Sequence, residues 1–150
     1  MPHSFNKIWI HAIWSTKERV PLLMEEVEAN VYQFMKEQFA EMGCPVRIIN
    51  GAPDHVHCLF LLNPQKSVAE AIKHVKGTSS HHINYHNLMP QKFAWQTGYA
   101  AYSVSESVAD NVFAYIQNQK EHHRKKSFEQ ECNAFLKLHG FNLEKQPGSL

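Results

Sequence analysis

Hydrophobic and polar positions change period several times along this chain, and each change marks an element. Residues 6–16, NKIWIHAIWST, are rich in β-branched and aromatic side chains and predict a first strand. From Met24 the apolar positions Met24, Val27, Val31, Phe34 and Met42 recur at helical spacing with acidic residues between them, and Gly43 is placed to stop this first helix. CPVRIIN (44–50) predicts a second strand, GAPD a turn, and HVHCLFLL (55–62) a third strand. Ser67 and Glu70 stand at capping-box spacing ahead of a second helix that must end before Pro90. FAWQTGYAAYSVS (93–105) supplies a bent or paired fourth strand. Two more helices follow, one over 107 to about 126 and one begun by Ser127 with Gln130 and closed by Gly140; residues 141–150 read as a frayed tail.

The order βαββαβ with a helical extension predicts an α+β chain: a ferredoxin-like or RRM-like antiparallel sheet, two helices on one face, and the third strand central. Side chains on a strand alternate between faces, so Val56, Cys58, Phe60 and Leu62 share one side, under the two helices, while His55, His57, Leu59 and Leu61 share the other. The second set is also partly apolar and needs a cover. The C-terminal helices are the elements left over to provide it, from this chain or from a partner.

Composition narrows the class. A chain of 150 residues with 43% apolar and 19% charged positions fits one packed domain over 1–150 rather than a disordered segment. The longest wholly apolar run, 58–62, is far too short to cross a bilayer, and the first residues lack the apolar region of a signal peptide, so a cytoplasmic protein is expected. Three widely spaced cysteines, Cys44, Cys58 and Cys132, fit reduced core thiols better than disulfides or a zinc knuckle. The formal net charge is only +1, but KEHHRKK (120–126) concentrates four basic residues against one glutamate, so one face is expected to be basic.

Two imidazoles at i and i+2 on one strand face can both reach a single cation, and imidazole is the commonest metal-ligating side chain. Such a pair needs a third ligand and a reactive group. Tyr115 and Gln119, four apart on the helix after the fourth strand, continue a stripe with Val108 and Val112 that could dock on the sheet and bring both to the histidines. Two imidazoles and a carboxamide are neutral and leave a divalent ion its full charge, which suits an anionic phosphodiester. A tyrosine beside the ion could act as nucleophile, storing the cleaved bond as a phosphotyrosine ester that can be rejoined without ATP; no GxxxxGK[ST] phosphate loop is present.

On HVH (55–57), Tyr115 and Gln119, within IHAIWSTKERVPLL, GAPDHVHCLFLL, SVAEAIKHVKGTSSHHIN, FAWQTGYAAYSVS and FAYIQNQKEHHRKKSFEQE, the chain resembles the single-tyrosine HUH transposases of IS200-like insertion sequences. The resemblance implies that His55, His57 and Gln119 hold Mg²⁺ or Mn²⁺ and that Tyr115 becomes attached to the 5′ end of cleaved single-stranded DNA. It also implies recognition of hairpins near the element ends and a homodimer in which the tyrosine helix of one subunit completes the partner's site. Lys17, Arg19, Lys73, Lys76, Arg124, Lys125 and Lys126 are candidate DNA-backbone contacts.

Other readings compete. A histidine-triad nucleotide hydrolase is disfavoured because Leu59 stands where a third alternating histidine would be. A replication-type HUH nicking endonuclease shares the chemistry but usually sits in a larger protein. A binding-only or domesticated hairpin module needs neither Tyr115 nor Gln119, and a structural metal site could use His122 and His123 instead.

Overall fold

In the computed structural model, which describes residues 3–141, four antiparallel strands pair in the order β2-β3-β1-β4. They are β1 (Trp9–Ser15), β2 (Val46–Ala52), β3 (His55–Leu61) and β4 (Ala100–Val104). With α1 (Glu25–Glu41) joining β1 to β2 and α2 (Val68–Tyr85) joining β3 to β4, this is the expected ferredoxin-like sheet with β3 and β1 in the middle. The tail expected over 141–150 lies, after Phe141, outside the described residues.

The strand alternation sorts as the pattern predicts. Ile10, Ala12 and Trp14 of β1 and Val56, Cys58 and Phe60 of β3 face α1 and α2 and are buried with Val31, Met35, Phe39, Ile72 and Val75. The α1 stripe differs from the predicted one. Val31, Met35 and Phe39, four apart, are its buried line, whereas Met24 is a half-exposed N-cap and Phe34 stacks on His82 with ring centroids 4.0 Å apart. Ser67 caps α2 by accepting from the Glu70 amide at 3.0 Å, and Gly43, with φ of +71°, follows α1 in the left-handed conformation glycine tolerates.

The fourth strand is shorter than 93–105. Trp95 makes one bridge to Thr16, and the chain then curls so that the Lys76 ammonium donates to the carbonyls of Gln96, Thr97 and Gly98 at 2.7, 3.3 and 2.9 Å before pairing resumes at Ala100. A half-buried cation thus holds a bend where the β propensity alone would extend the chain.

The opposite sheet face carries Trp9, Leu59 and both β3 histidines, covered here by the chain's own α3 (Ala109–Gln117), α4 (Gln119–Lys125) and α5 (Phe128–Leu138). The single helix expected over 107 to about 126 is broken. A 3-10 turn (Glu106–Val108) precedes α3, and Asn118, at φ −96° and ψ 20°, separates α3 from α4. The Asn50 carboxamide on β2 donates to the Ile116 and Gln117 carbonyls at 3.0 and 3.1 Å, taking acceptors that a continuous helix would have used. Ala109 and Ile116, with Val112 and Phe113, form the docking stripe, and Val108 is exposed. Ser127 and Gln130 close a capping box at the start of α5, and Gly140, at φ +84°, follows its end.

The hairpin that presents the histidines is tight. Gly51 lies opposite Val56, and a Cβ there would sit 2.1 Å from the His55 carbonyl oxygen. Gly51→Ala is therefore expected to push β2 and β3 apart at His55 and to destabilise by about 3 kcal/mol. At this chain length that is a fall of roughly 6–12 °C in melting temperature, checked by circular dichroism. Among the described residues, no helix is long and apolar enough to cross a membrane.

Candidate active site

β3 places His55 and His57 on the face under α3 to α5, where they are 1% and 0% exposed with ring centroids 5.2 Å apart. Buried imidazoles need partners on both nitrogens. His55 Nδ1 is 2.7 Å from Asp54 Oδ1, and His57 Nδ1 is 2.8 Å from Nε2 of His11, the diagonal neighbour on β1. Both Nδ1 atoms are thereby fixed and both Nε2 atoms turn into the same small space.

Three other side chains meet them there. Gln119, brought in by the break at Asn118, sets Oε1 3.2 Å from His55 Nε2. Glu131 of α5, 4% exposed, sets Oε1 2.6 Å from His57 Nε2 and 3.4 Å from His55 Nε2. Its Oε2 accepts from the Tyr115 hydroxyl at 2.6 Å and from Gln119 Nε2 at 3.3 Å. The Tyr115 ring lies 5.9 Å from that of His57 and stacks on His122 at 4.4 Å. A recess of about 170 Å³ beside it is lined by Tyr115, Lys126, Glu131, Ala134, Phe135 and Leu138.

The electrostatics follow from crowding several titratable groups in a dry space. Burial opposes charge on His55, but its hydrogen bonds with Asp54 and Glu131 prevail and raise its pKa to about 9. For His57 burial prevails over Glu131 and lowers the pKa. Burial alone would raise the carboxyl pKa of Glu131; hydrogen bonds from His55, His57 and Tyr115 hold it well below the usual carboxylate range. Asp54 is likewise depressed, its partial burial outweighed by His55. Burial, reinforced by the Glu131 carboxylate, pushes the Tyr115 phenol well above its ordinary value.

This donor set suits a divalent cation. His55, His57 and Glu131 offer ligand atoms within 4.8 Å of one another, and the Gln119 carbonyl oxygen joins them. A second group, Asp54, His55 and His123, shares His55. His122 and His123 do not converge on one site: the first stacks on Tyr115, and the second lies with its ring 5.6 Å from that of His55.

Thus His55, His57, Tyr115 and Gln119 are brought together, and Glu131, Asp54 and His11 are additions that the sequence reading did not single out. Glu131 had a signal: it follows Phe128 by three residues and precedes Phe135 by four, a carboxylate on an apolar helical stripe. The basic candidates scatter. Lys17 and Arg19 lie in a 3-10 turn, where Arg19 is 3.7 Å from Glu129; Lys73 lines a cleft with Trp95 and Tyr99; Lys76 is engaged by the three carbonyls of the bend. Arg124 pairs with Glu121 at 2.9 Å, Lys125 ends α4, and Lys126 borders the recess at Tyr115.

The family described as Transposase IS200 like matches residues 4–119. ISDra2 transposase TnpA of Deinococcus radiodurans is 28% identical over 116 residues, which cover 74% of this chain and 83% of that protein. A crystal structure of a Deinococcus radiodurans R1 protein described as a transposase aligns with a TM-score of 0.63 at 26% identity, covering 77% of this chain and 93% of that one. A REP-associated tyrosine transposase bound to a REP hairpin shares the fold, with a TM-score of 0.56 at 11% identity, covering 84% of this chain and 73% of that one. The family match takes in β1 through Gln119, and with them His55, His57 and Tyr115, and stops short of α5. The chain belongs to the IS200-like transposase family.

Proposed function

We propose that this transposase cleaves and rejoins single-stranded DNA at insertion-sequence ends through a 5′-phosphotyrosine formed on Tyr115, at a site where His55, His57 and Gln119 hold Mg²⁺ or Mn²⁺. The observation that carries this reading is the convergence of a half-buried phenol with two imidazole Nε2 atoms and a carboxamide oxygen, drawn from β3, α3 and α4. A solely structural tyrosine would not need to share its hydrogen-bond acceptor with a metal-ligating histidine.

When bound, the ion supplies positive charge to the scissile phosphate. The remaining steps fall to the chain's own residues. Asp54 and His11 fix the Nδ1 sides of His55 and His57, leaving each Nε2 available as a ligand. Glu131 aims the Tyr115 oxygen by accepting its proton in a hydrogen bond. As the bond from that oxygen to phosphorus forms, the bond from phosphorus to the 3′ oxygen breaks. The phenolic proton departs, and the 3′ oxygen takes one up to become a free hydroxyl. Attack by a 3′ hydroxyl on the phosphotyrosine reverses the sequence and rejoins a strand.

The DNA is expected to be folded as hairpins near the element ends, with the basic side chains at Lys17, Arg19, Lys73, Lys125 and Lys126 against its backbone and Lys76 and Arg124 less free to contribute. A homodimer with exchanged tyrosine helices follows from the family resemblance, while the chain's own α3 already reaches its own histidines. Mixing Tyr115→Phe with a His55→Ala chain separates the two: restored cleavage assigns the helix to exchange, and no restoration assigns the chemistry to one chain. For the reaction itself, labelled hairpin DNA from the ends of the encoding element is incubated with the protein and Mn²⁺ or Mg²⁺. A covalent protein–DNA adduct on a denaturing gel, absent with chelator, is the expected result; no adduct under any metal leaves a binding module.

A further inference from the structure

The ligand set read from the sequence is neutral and comes wholly from the stretch matched to the family. α5 lies outside that stretch, yet it delivers a carboxylate to the centre of the site. We infer that Glu131 is a fourth metal ligand through Oε1, while its Oε2 holds the Tyr115 hydroxyl, so that one side chain ties the nucleophile to the ion. The inference rests on the proposed metal-dependent reading of this site.

The distances fit a common ion as well as they fit hydrogen bonds between neighbours. Ligands at about 2.0–2.2 Å from one cation stand about 2.8–3.1 Å apart at right angles and about 3.3–3.6 Å apart at tetrahedral angles. Glu131 Oε1 is 2.6 and 3.4 Å from the two imidazole Nε2 atoms, and Gln119 Oε1 is 3.2 Å from that of His55. The 3.4 and 3.2 Å separations around His55 Nε2 lie within or beside those ranges, and the 2.6 Å contact at His57 would open slightly to join them.

The placement is also hard to explain as packing. α5 is held against the sheet face by Phe128, Phe135 and Leu136 without Glu131, so a leucine at position 131 would serve the stripe. An acidic side chain 4% exposed among four polar neighbours is stable only where positive charge or donated protons meet it. With the carboxylate counted, the ligands carry one negative charge, and the mixed nitrogen and oxygen set moves preference toward Mn²⁺ and Mg²⁺ relative to imidazole alone.

The test reads metal binding without DNA. Mn²⁺ is titrated into the full chain, and free ion is followed by electron paramagnetic resonance, for wild type, Glu131→Gln, Tyr115→Phe and His55→Ala. Glu131→Gln, nearly isosteric, is expected to weaken Mn²⁺ at least about tenfold, Tyr115→Phe to leave it within about twofold, and His55→Ala to abolish it. Wild-type Mn²⁺ affinity in folded Glu131→Gln overturns the inference and makes the carboxylate only a hydrogen-bond acceptor for Tyr115. If Glu131→Gln does not fold by circular dichroism, Glu131→Asp, which keeps the charge but withdraws it by one methylene, takes its place; a weakened Mn²⁺ affinity supports the ligand and an unchanged one overturns it. Tight Mn²⁺ binding without any DNA adduct sinks the proposed reaction and leaves this inference standing. An adduct formed by a protein whose Glu131→Gln variant binds Mn²⁺ normally does the reverse.

Discussion

Tyr115→Phe is expected to abolish the covalent protein–DNA adduct, with strand cleavage down by at least about 10³-fold, because it removes the one oxygen that the proposed reaction joins to phosphorus. Everything else about the ring is kept. Its stacking on His122 and its edge contact with Phe135 do not involve the hydroxyl. The lost hydrogen bond to Glu131 leaves that carboxylate with His57, His55 and Gln119, so the stability change should stay near about 1 kcal/mol. Hairpin binding measured by fluorescence anisotropy should therefore match wild type while the denaturing gel shows no adduct. A Tyr115→Phe chain that still forms adduct at the wild-type rate would assign the nucleophile elsewhere.

The raised phenol pKa sharpens what Tyr115 would require to act as the proposed nucleophile. Burial and an adjacent carboxylate both favour the protonated form, so Tyr115 is stable as a phenol in the absence of metal and DNA. The same carboxylate that suppresses ionisation also fixes where the oxygen points. The oxygen is thus positioned in the protein alone, and in the proposed reaction its ionisation would wait for the positive charge of the ion.

Much of this was legible in the chain. Period-two alternation in HVHCLFLL separates core from site residue by residue because a strand allows only two faces, and each of Val56, Cys58 and Phe60 is buried against α1 and α2 while His55 and His57 turn the other way. The caps at Ser67 and Ser127 were readable because capping is local chemistry. The break at Asn118 was not, since the group that ends α3 is the side chain of Asn50, 66 positions before Ile116 and visible only once the helix lies on β2. The bend before β4 was hidden for the same reason: its organiser is Lys76, on another element. That lysine, a candidate DNA contact, donates to three backbone carbonyls and is less free to meet a phosphate. Glu131 escaped because its significance is a coincidence of four elements in space, although its place on an apolar stripe was a local warning.

His57→Ala is expected to damage the protein twice over. Its imidazole is wholly buried, joined to His11 through Nδ1 and to Glu131 through Nε2. In the proposed site removal takes away a metal ligand, so Mn²⁺ affinity should fall at least about 100-fold and cleavage with it. It also opens a cavity and strips a buried carboxylate of one of its two closest partners, which together should lower stability by about 3 kcal/mol or more even with chelator present. The two losses have different signatures. If the instability comes from stranding the Glu131 charge, then neutralising that charge in the same chain should help: His57→Ala with Glu131→Gln is expected to melt above His57→Ala alone, although Glu131→Gln by itself lowers the melting temperature of the wild type. Melting temperatures that simply add would place the cost in the cavity and remove Glu131 from the account of His57. No such recovery is expected for metal binding or cleavage, because the double variant lacks two donors at the point where the imidazoles, the carboxamide and the carboxylate converge.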